Sequence, residues 1–148
     1  MEDGCPVIIS RAEWGARPPV DSEPLSTPTP YAVIFHTVIQ TCESADACKL
    51  SLRKIQNFHM DFRGWWDIGY NFLIGGDGNV YEGRGLERKG AHARSYNQYS
   101  IGLCCKEVDD DILDTEKNIF RLFDFPGIRR QEGEIRGYEV SSSRQLLV

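Results

Sequence analysis

The chain has 148 residues, 41% of them apolar and 26% charged, with a formal net charge of −5 at neutral pH. That length supports one buried core and hence a single domain over residues 1–148, while lysines and arginines scattered along an acidic chain exclude nucleic acid as a partner. No apolar run approaches the roughly 20 residues that cross a bilayer, and Met1 to Gly4 carry neither the basic nor the apolar region of a secretory signal, so no transmembrane segment and no export signal are expected here.

Val7 to Ser10 reads as a short strand. Trp14 to Pro30 is rich in proline and serine and reads as an irregular connection. Tyr31 to His36 is apolar without alternation, the pattern of a central strand buried on both faces. From Ser44 to Phe62 the residues Cys48, Leu52, Ile55 and Phe62 fall at helical spacing, with Ser44 or Asp46 as cap and Gly64 as terminator. Asn71 to Ile74, then four turn residues, then Asn79 to Glu82 predict a β-hairpin. Ser100 to Cys105 predicts a further strand. Asp109 to Asp111 reads as a solvated loop before a helix capped by Asp114 or Thr115, running to about Phe123 and ended by Pro126-Gly127.

The five cysteines, Cys5, Cys42, Cys48, Cys104 and Cys105, cannot all pair within one chain. The short spacing of Cys42 and Cys48 favours a local disulfide, two reduced thiols being the alternative. Cys104 and Cys105 read as small buried strand residues.

Five ordered blocks carry a resemblance: Ser10-Arg11-Ala12-Glu13-Trp14-Gly15-Ala16, Gln56-Asn57-Phe58-His59-Met60-Asp61, Asp67-Ile68-Gly69-Tyr70-Asn71-Phe72-Leu73-Ile74-Gly75, Val80-Tyr81-Glu82-Gly83-Arg84-Gly85 and Gly90-Ala91-His92. Together they resemble the peptidoglycan recognition proteins, which are related to the type 2, phage-lysozyme-like N-acetylmuramoyl-L-alanine amidases. The resemblance implies an α/β fold, a central mixed sheet flanked by helices with a groove for muramyl peptides, here truncated or divergent after about residue 105. It also implies an extracellular pattern-recognition receptor of innate immunity.

In the amidases of this family a histidine ending the central strand is the first of three zinc ligands, and Phe35 matches that position. A phenyl ring cannot bind zinc, and His36 is no ready substitute because neighbouring strand residues point to opposite faces. Ser143, within Tyr138 to Gln145, matches the second ligand, and the third, a downstream cysteine, has no counterpart before Val148. Of the catalytic set only Tyr70 remains, with a plain buried strand residue as its alternative reading. No cofactor is therefore expected; zinc belongs to the amidase alternative.

By the same residue matching, His36, His59, Arg63, Tyr70, His92 and Asn97 fall on positions that contact the stem peptide or the muramic sugar. Gly64-Trp65 matches relatives that prefer diaminopimelate-type over lysine-type peptide, and Arg84 matches an arginine that pairs with the extra carboxylate, the alternative being a solvated hairpin charge. Leu86 stands where a tryptophan usually walls the groove, and Pro126 where many relatives have a cysteine that pairs near Cys5. The leading expectation is a non-catalytic binder of peptidoglycan fragments. The alternatives are a zinc-dependent amidase, and a co-receptor or decoy that pairs with another recognition protein.

Overall fold

Short β-branched and aromatic runs separated by turn residues assemble into one sheet in the computed structural model, which describes residues 7–37, 42–106 and 140–141. The strands are β1 (Ile8–Ile9), β2 (Tyr31–Thr37), β3 (Phe72–Ile74), β4 (Val80–Glu82), β5 (Ser100–Lys106) and β6 (Val140–Ser141). They lie side by side in the order β1-β4-β3-β5-β2-β6. Among the described strands β3 and β4 pair antiparallel and the other pairs are parallel, giving the mixed sheet expected. β2 lies between β5 and the two-residue β6, so it sits inside the sheet but off its middle.

Register sorts the side chains onto two faces. Phe35, Cys104, Leu73, Tyr81 and Ile9 are aligned across five strands, and all belong to one apolar cluster with Trp14, Cys48, Leu52 and Ile55. Ile34, Leu103, Phe72, Ile74, Val80 and Cys105 form the cluster on the opposite face, joined by Ile8 and Leu86. Helices α1 (Arg11–Trp14) and α2 (Ala45–Asn57) cover the first face. α1 opens with a capping box in which Ser10 and Glu13 exchange side-chain to backbone hydrogen bonds, and Trp14 at its end donates its indole N–H to the Glu82 carbonyl at 2.8 Å.

α2 starts where the sequence places it, with the Ser44 hydroxyl accepting from the Ala47 amide at 3.2 Å. It does not keep its phase to the end. Phe58–Phe62 form a π-helical turn, in which one extra residue per turn rotates the buried stripe. Cys48, Leu52 and Ile55 are buried as expected, His59 and Met60 continue the stripe, and Phe62, expected on it, is exposed to solvent. Gly64 follows at φ 69°, the left-handed conformation that glycine adopts without strain and that turns the chain back toward the sheet.

Cys42 and Cys48 form the expected disulfide, with Cα atoms 5.0 Å apart. Cys104 and Cys105 are outside any disulfide and are buried on opposite faces of β5. Cys5, the acidic loop at Asp109 to Asp111, the helix expected from Asp114 to Phe123, Pro126 and Ser143 lie outside the described residues.

One buried carboxylate ties these elements together. Asp67 Oδ1 accepts from Gln56 Nε2 at 2.9 Å and from the Ile68 amide at 2.7 Å, while Arg11 Nη1 lies 2.8 Å from Oδ2 as an ion pair. Arg11 also donates to the carbonyls of Gly83 and Arg17, and Gln56 closes a two-bond clasp with the Arg17 backbone. Removing one partner of a buried pair strands the other, so Asp67→Ala is expected to cost about 3–5 kcal/mol. Asp61→Ala, which breaks the exposed pair with Arg17, is expected to cost about 0–1 kcal/mol. Urea unfolding of both variants checks the contrast.

Candidate ligand-binding site

The ends of β2 and β3, the π-turn and the loops after Gly64 and Gly90 bring five rings together on the helix-covered face. Phe35 packs 5.6 Å from Tyr70 and 5.5 Å from His92, and His59 packs 5.7 Å from Tyr70 and 4.6 Å from Trp65. Backbone bonds hold this arrangement: the Trp65 amide donates to the His59 carbonyl, and the Gly69 amide donates to His59 Nδ1 at 3.0 Å. That last bond leaves the ring proton of neutral His59 on Nε2.

Both histidines are held neutral. Burial, reinforced by the positive charges of Arg63 and Arg84 and opposed by Asp67, pulls His59 down to about 4. Burial also pulls His92 down to about 4, with Arg84 adding and a backbone contact at Ser100 opposing. Neither buried ring nitrogen of His92 has an aligned hydrogen-bond partner. The ring lies close against the backbone at Gly102, where any side chain would collide with it. Burial pushes the Tyr70 phenol well above its ordinary value, with the Cys104 thiol beside it adding, so Tyr70 stays a hydrogen-bond donor.

The remaining expected site residues are placed as follows. Arg63 stacks its guanidinium 5.9 Å from the Trp65 ring and 5.8 Å from the Phe58 ring. Asn97 Oδ1 accepts from the amides of His92 and Ala93, both at 2.9 Å, and so sets the loop that carries His92. Arg84 is 8% exposed and donates to the carbonyls of Ile68 at 2.8 Å and Lys89 at 2.9 Å, so it is not the solvated hairpin charge of its alternative reading. His36 lies in β2 in register with Cys105. Leu86 packs with the cluster on the opposite face and lines a cavity of about 440 Å³ there with Ile8 and Phe72, away from the ring-lined surface where a groove wall was expected.

Sequence reasoning missed the residue that the site rests on. Asn71, immediately after Tyr70, donates through Nδ2 to the carbonyls of Gly85 and Arg88 and accepts through Oδ1 from the Gly102 amide at 2.8 Å. Its side chain thereby fastens β5 and the end of the hairpin beneath the rings. A buried amide preceding an apolar strand is the signal that points to it, since such a group must be bonded on all sides.

The depressed histidine values give a pH dependence with a definite sign. Folded values below the ordinary 6.5 mean that this part of the stability is complete above about pH 6.5 and is lost as pH falls toward 4, at about 3 kcal/mol for each ring. NMR titration is expected to place the His59 and His92 midpoints near 4, and urea midpoints are expected to drop between pH 7 and pH 4.5; midpoints near 6.5 for both rings would contradict the burial described.

The N-acetylmuramoyl-L-alanine amidase family matches residues 25–124. Peptidoglycan-recognition protein SC1a of Drosophila melanogaster is 53% identical over 96 residues, which is 65% of this chain and 52% of that protein. The chain thus spans about half the length of the first curated relatives it matches. Among solved structures, the ectodomain complex of peptidoglycan recognition proteins LCa and LCx with bound tracheal cytotoxin is similar at TM-score 0.79 and 38% identity, over 95% of this chain and 86% of that one. Peptidoglycan recognition protein LE in complex with tracheal cytotoxin, a monomeric diaminopimelic acid-type peptidoglycan, is similar at TM-score 0.77 and 35% identity, over 94% and 83%. Five sequence blocks, the mixed sheet and these likenesses agree: the chain belongs to the peptidoglycan recognition proteins, a family related to the type 2 amidases.

Proposed function

We propose that this chain recognises peptidoglycan muropeptides in innate immunity and does so without cleaving them. The observation that carries the reading is the ring cluster in which Phe35 meets His92 edge to face and Tyr70, His59 and Trp65 continue it through tilted contacts, with Arg63 at its margin. Ring faces such as that of the part-exposed Trp65 suit sugars and apolar stems. Relatives of the same fold that hold tracheal cytotoxin support the substrate class.

The non-catalytic part rests on Phe35. Its buried ring occupies the strand-end position where the amidases place their first zinc ligand, and it offers no lone pair. Among the described residues no three histidine, cysteine, aspartate or glutamate side chains converge to hold a metal. A phenyl ring at Phe35 does not fit zinc. Diaminopimelate preference is supported by Gly64-Trp65 and by the LE complex. Arg84 reaches an added carboxylate only if it keeps or exchanges its two carbonyl bonds, so Trp65 and Arg63 are the more accessible discriminants. The pairing alternative draws on the LCa–LCx ectodomain complex, a property of those two proteins.

Isothermal titration with a diaminopimelate muropeptide and its lysine-type counterpart, with zinc assayed in the same sample, tests the reading. Binding without cleavage, at sub-stoichiometric zinc and tighter for the diaminopimelate form, is expected. Stoichiometric zinc with amide hydrolysis would return the chain to the amidases. Trp65→Ala is expected to weaken binding about tenfold or more, because a large aromatic anchor is lost.

A further inference from the structure

The rings of the site do not stop at Trp65. Phe58 packs 6.0 Å from His59, and Phe62 stacks on Phe58 at 5.1 Å with their planes 14° apart. A continuous ladder therefore runs Phe35, Tyr70, His59, Phe58, Phe62, and its exposure climbs in that order through 3%, 3%, 7%, 43% and 78%. Arg63 spans the step between the two parts, its guanidinium within 6 Å of both the Phe58 and Trp65 rings. Water-facing phenyl faces of this kind carry a solvation cost that a stack of two does not relieve on its outer side, and an exposed apolar surface continuous with a ligand surface marks a contact.

The π-turn creates the outer part of the ladder. A regular helix would bury position 62 with the Cys48–Leu52–Ile55 stripe; the extra residue in the turn throws it outward and stacks it on Phe58, one turn back. Flat aromatic faces beside a guanidinium suit the C–H faces of a pyranose ring together with a hydroxyl or acetamido oxygen that accepts from the cation.

We propose that the Phe58–Phe62 stack with Arg63 is an extension subsite that takes a sugar ring of the glycan strand beyond the muropeptide seated on the inner rings. This rests on the muropeptide reading above and adds chain length to it: the protein distinguishes polymer from monomer. The outer stack is joined to the inner rings through the Phe58–His59 contact, so one ligand can run from the exposed stack toward them.

The experiment is fluorescence or calorimetric titration of the full chain with three defined fragments: a muramyl peptide, a disaccharide muropeptide and a tetrasaccharide carrying the same peptide. Wild type is expected to bind the tetrasaccharide about tenfold tighter than the shortest fragment. Phe62→Ser, at a position exposed enough to leave the fold intact, is expected to abolish that gain while leaving muramyl-peptide affinity and the thermal midpoint unchanged. Equal affinity of wild type for all three fragments overturns the subsite and leaves the muropeptide reading standing; failure to bind any fragment overturns both. A sedimentation shift from dimer to monomer in Phe62→Ser, with no change in fragment preference, assigns the stack to self-association instead and overturns the proposal.

Discussion

A charged carboxylate enters a protein interior only with its partners, and the partners of Asp67 come from three separate segments. Arg11 belongs to α1, Gln56 to the last turn of α2, and the Ile68 amide to the loop that leads into β3. Because the desolvation penalty of an unpaired buried ion is several kcal/mol, none of the three can slide relative to the others without a large loss. Tyr70 lies three residues beyond Asp67 and His59 three beyond Gln56, so the positions of both rings follow from that anchor. Arg84, held against the Ile68 carbonyl, extends the same constraint to the end of the hairpin.

Much of this was legible in the sequence. The hairpin announced itself through turn residues between two short apolar runs, α2 through Ser44 and the Cys48–Leu52–Ile55 spacing, and the disulfide through a six-residue separation. What escaped depends on events that leave no local mark. Phe62 fits a helical period as well as Ile55 does; only a π-turn, formed where the chain must deliver both His59 and Met60 inward, moves it to solvent. The burial of Arg84 is equally silent, because an arginine in a glycine-rich hairpin looks solvated until the Ile68 and Lys89 carbonyls close over it. Leu86 was expected on the ligand side from its position in a motif, whereas it packs against the cluster on the Phe72 face.

The electrostatics of the site are those of a neutral floor with a cationic margin. His59 and His92 are kept uncharged by burial, with Arg63 and Arg84 adding for His59 and Arg84 for His92, so they stand in the site as polarised rings and not as charges. Such a floor gains little from anionic groups at its centre and loses little when a peptide amide lies across it. On the recognition reading, Arg63, less buried and shared between two rings, is where a carboxylate or a sugar oxygen would meet positive charge with the smaller desolvation cost.

Phe35 shows how such a floor stays ordered. A bound metal knits its ligands together and contributes its binding free energy to the folded state. Where a ligand position carries a phenyl ring, cohesion has to come from packing, and Phe35 supplies it through Tyr70 on one side and His92 on the other, above the Cys104 position of β5. The two neighbours gain different things from this contact. Tyr70 keeps a dry setting that holds its proton, and His92 keeps an apolar wall that fixes its ring while its nitrogens remain unpaired. On the recognition reading, a phenyl ring at this position is therefore a rigid apolar centre that orders the rings around it by packing.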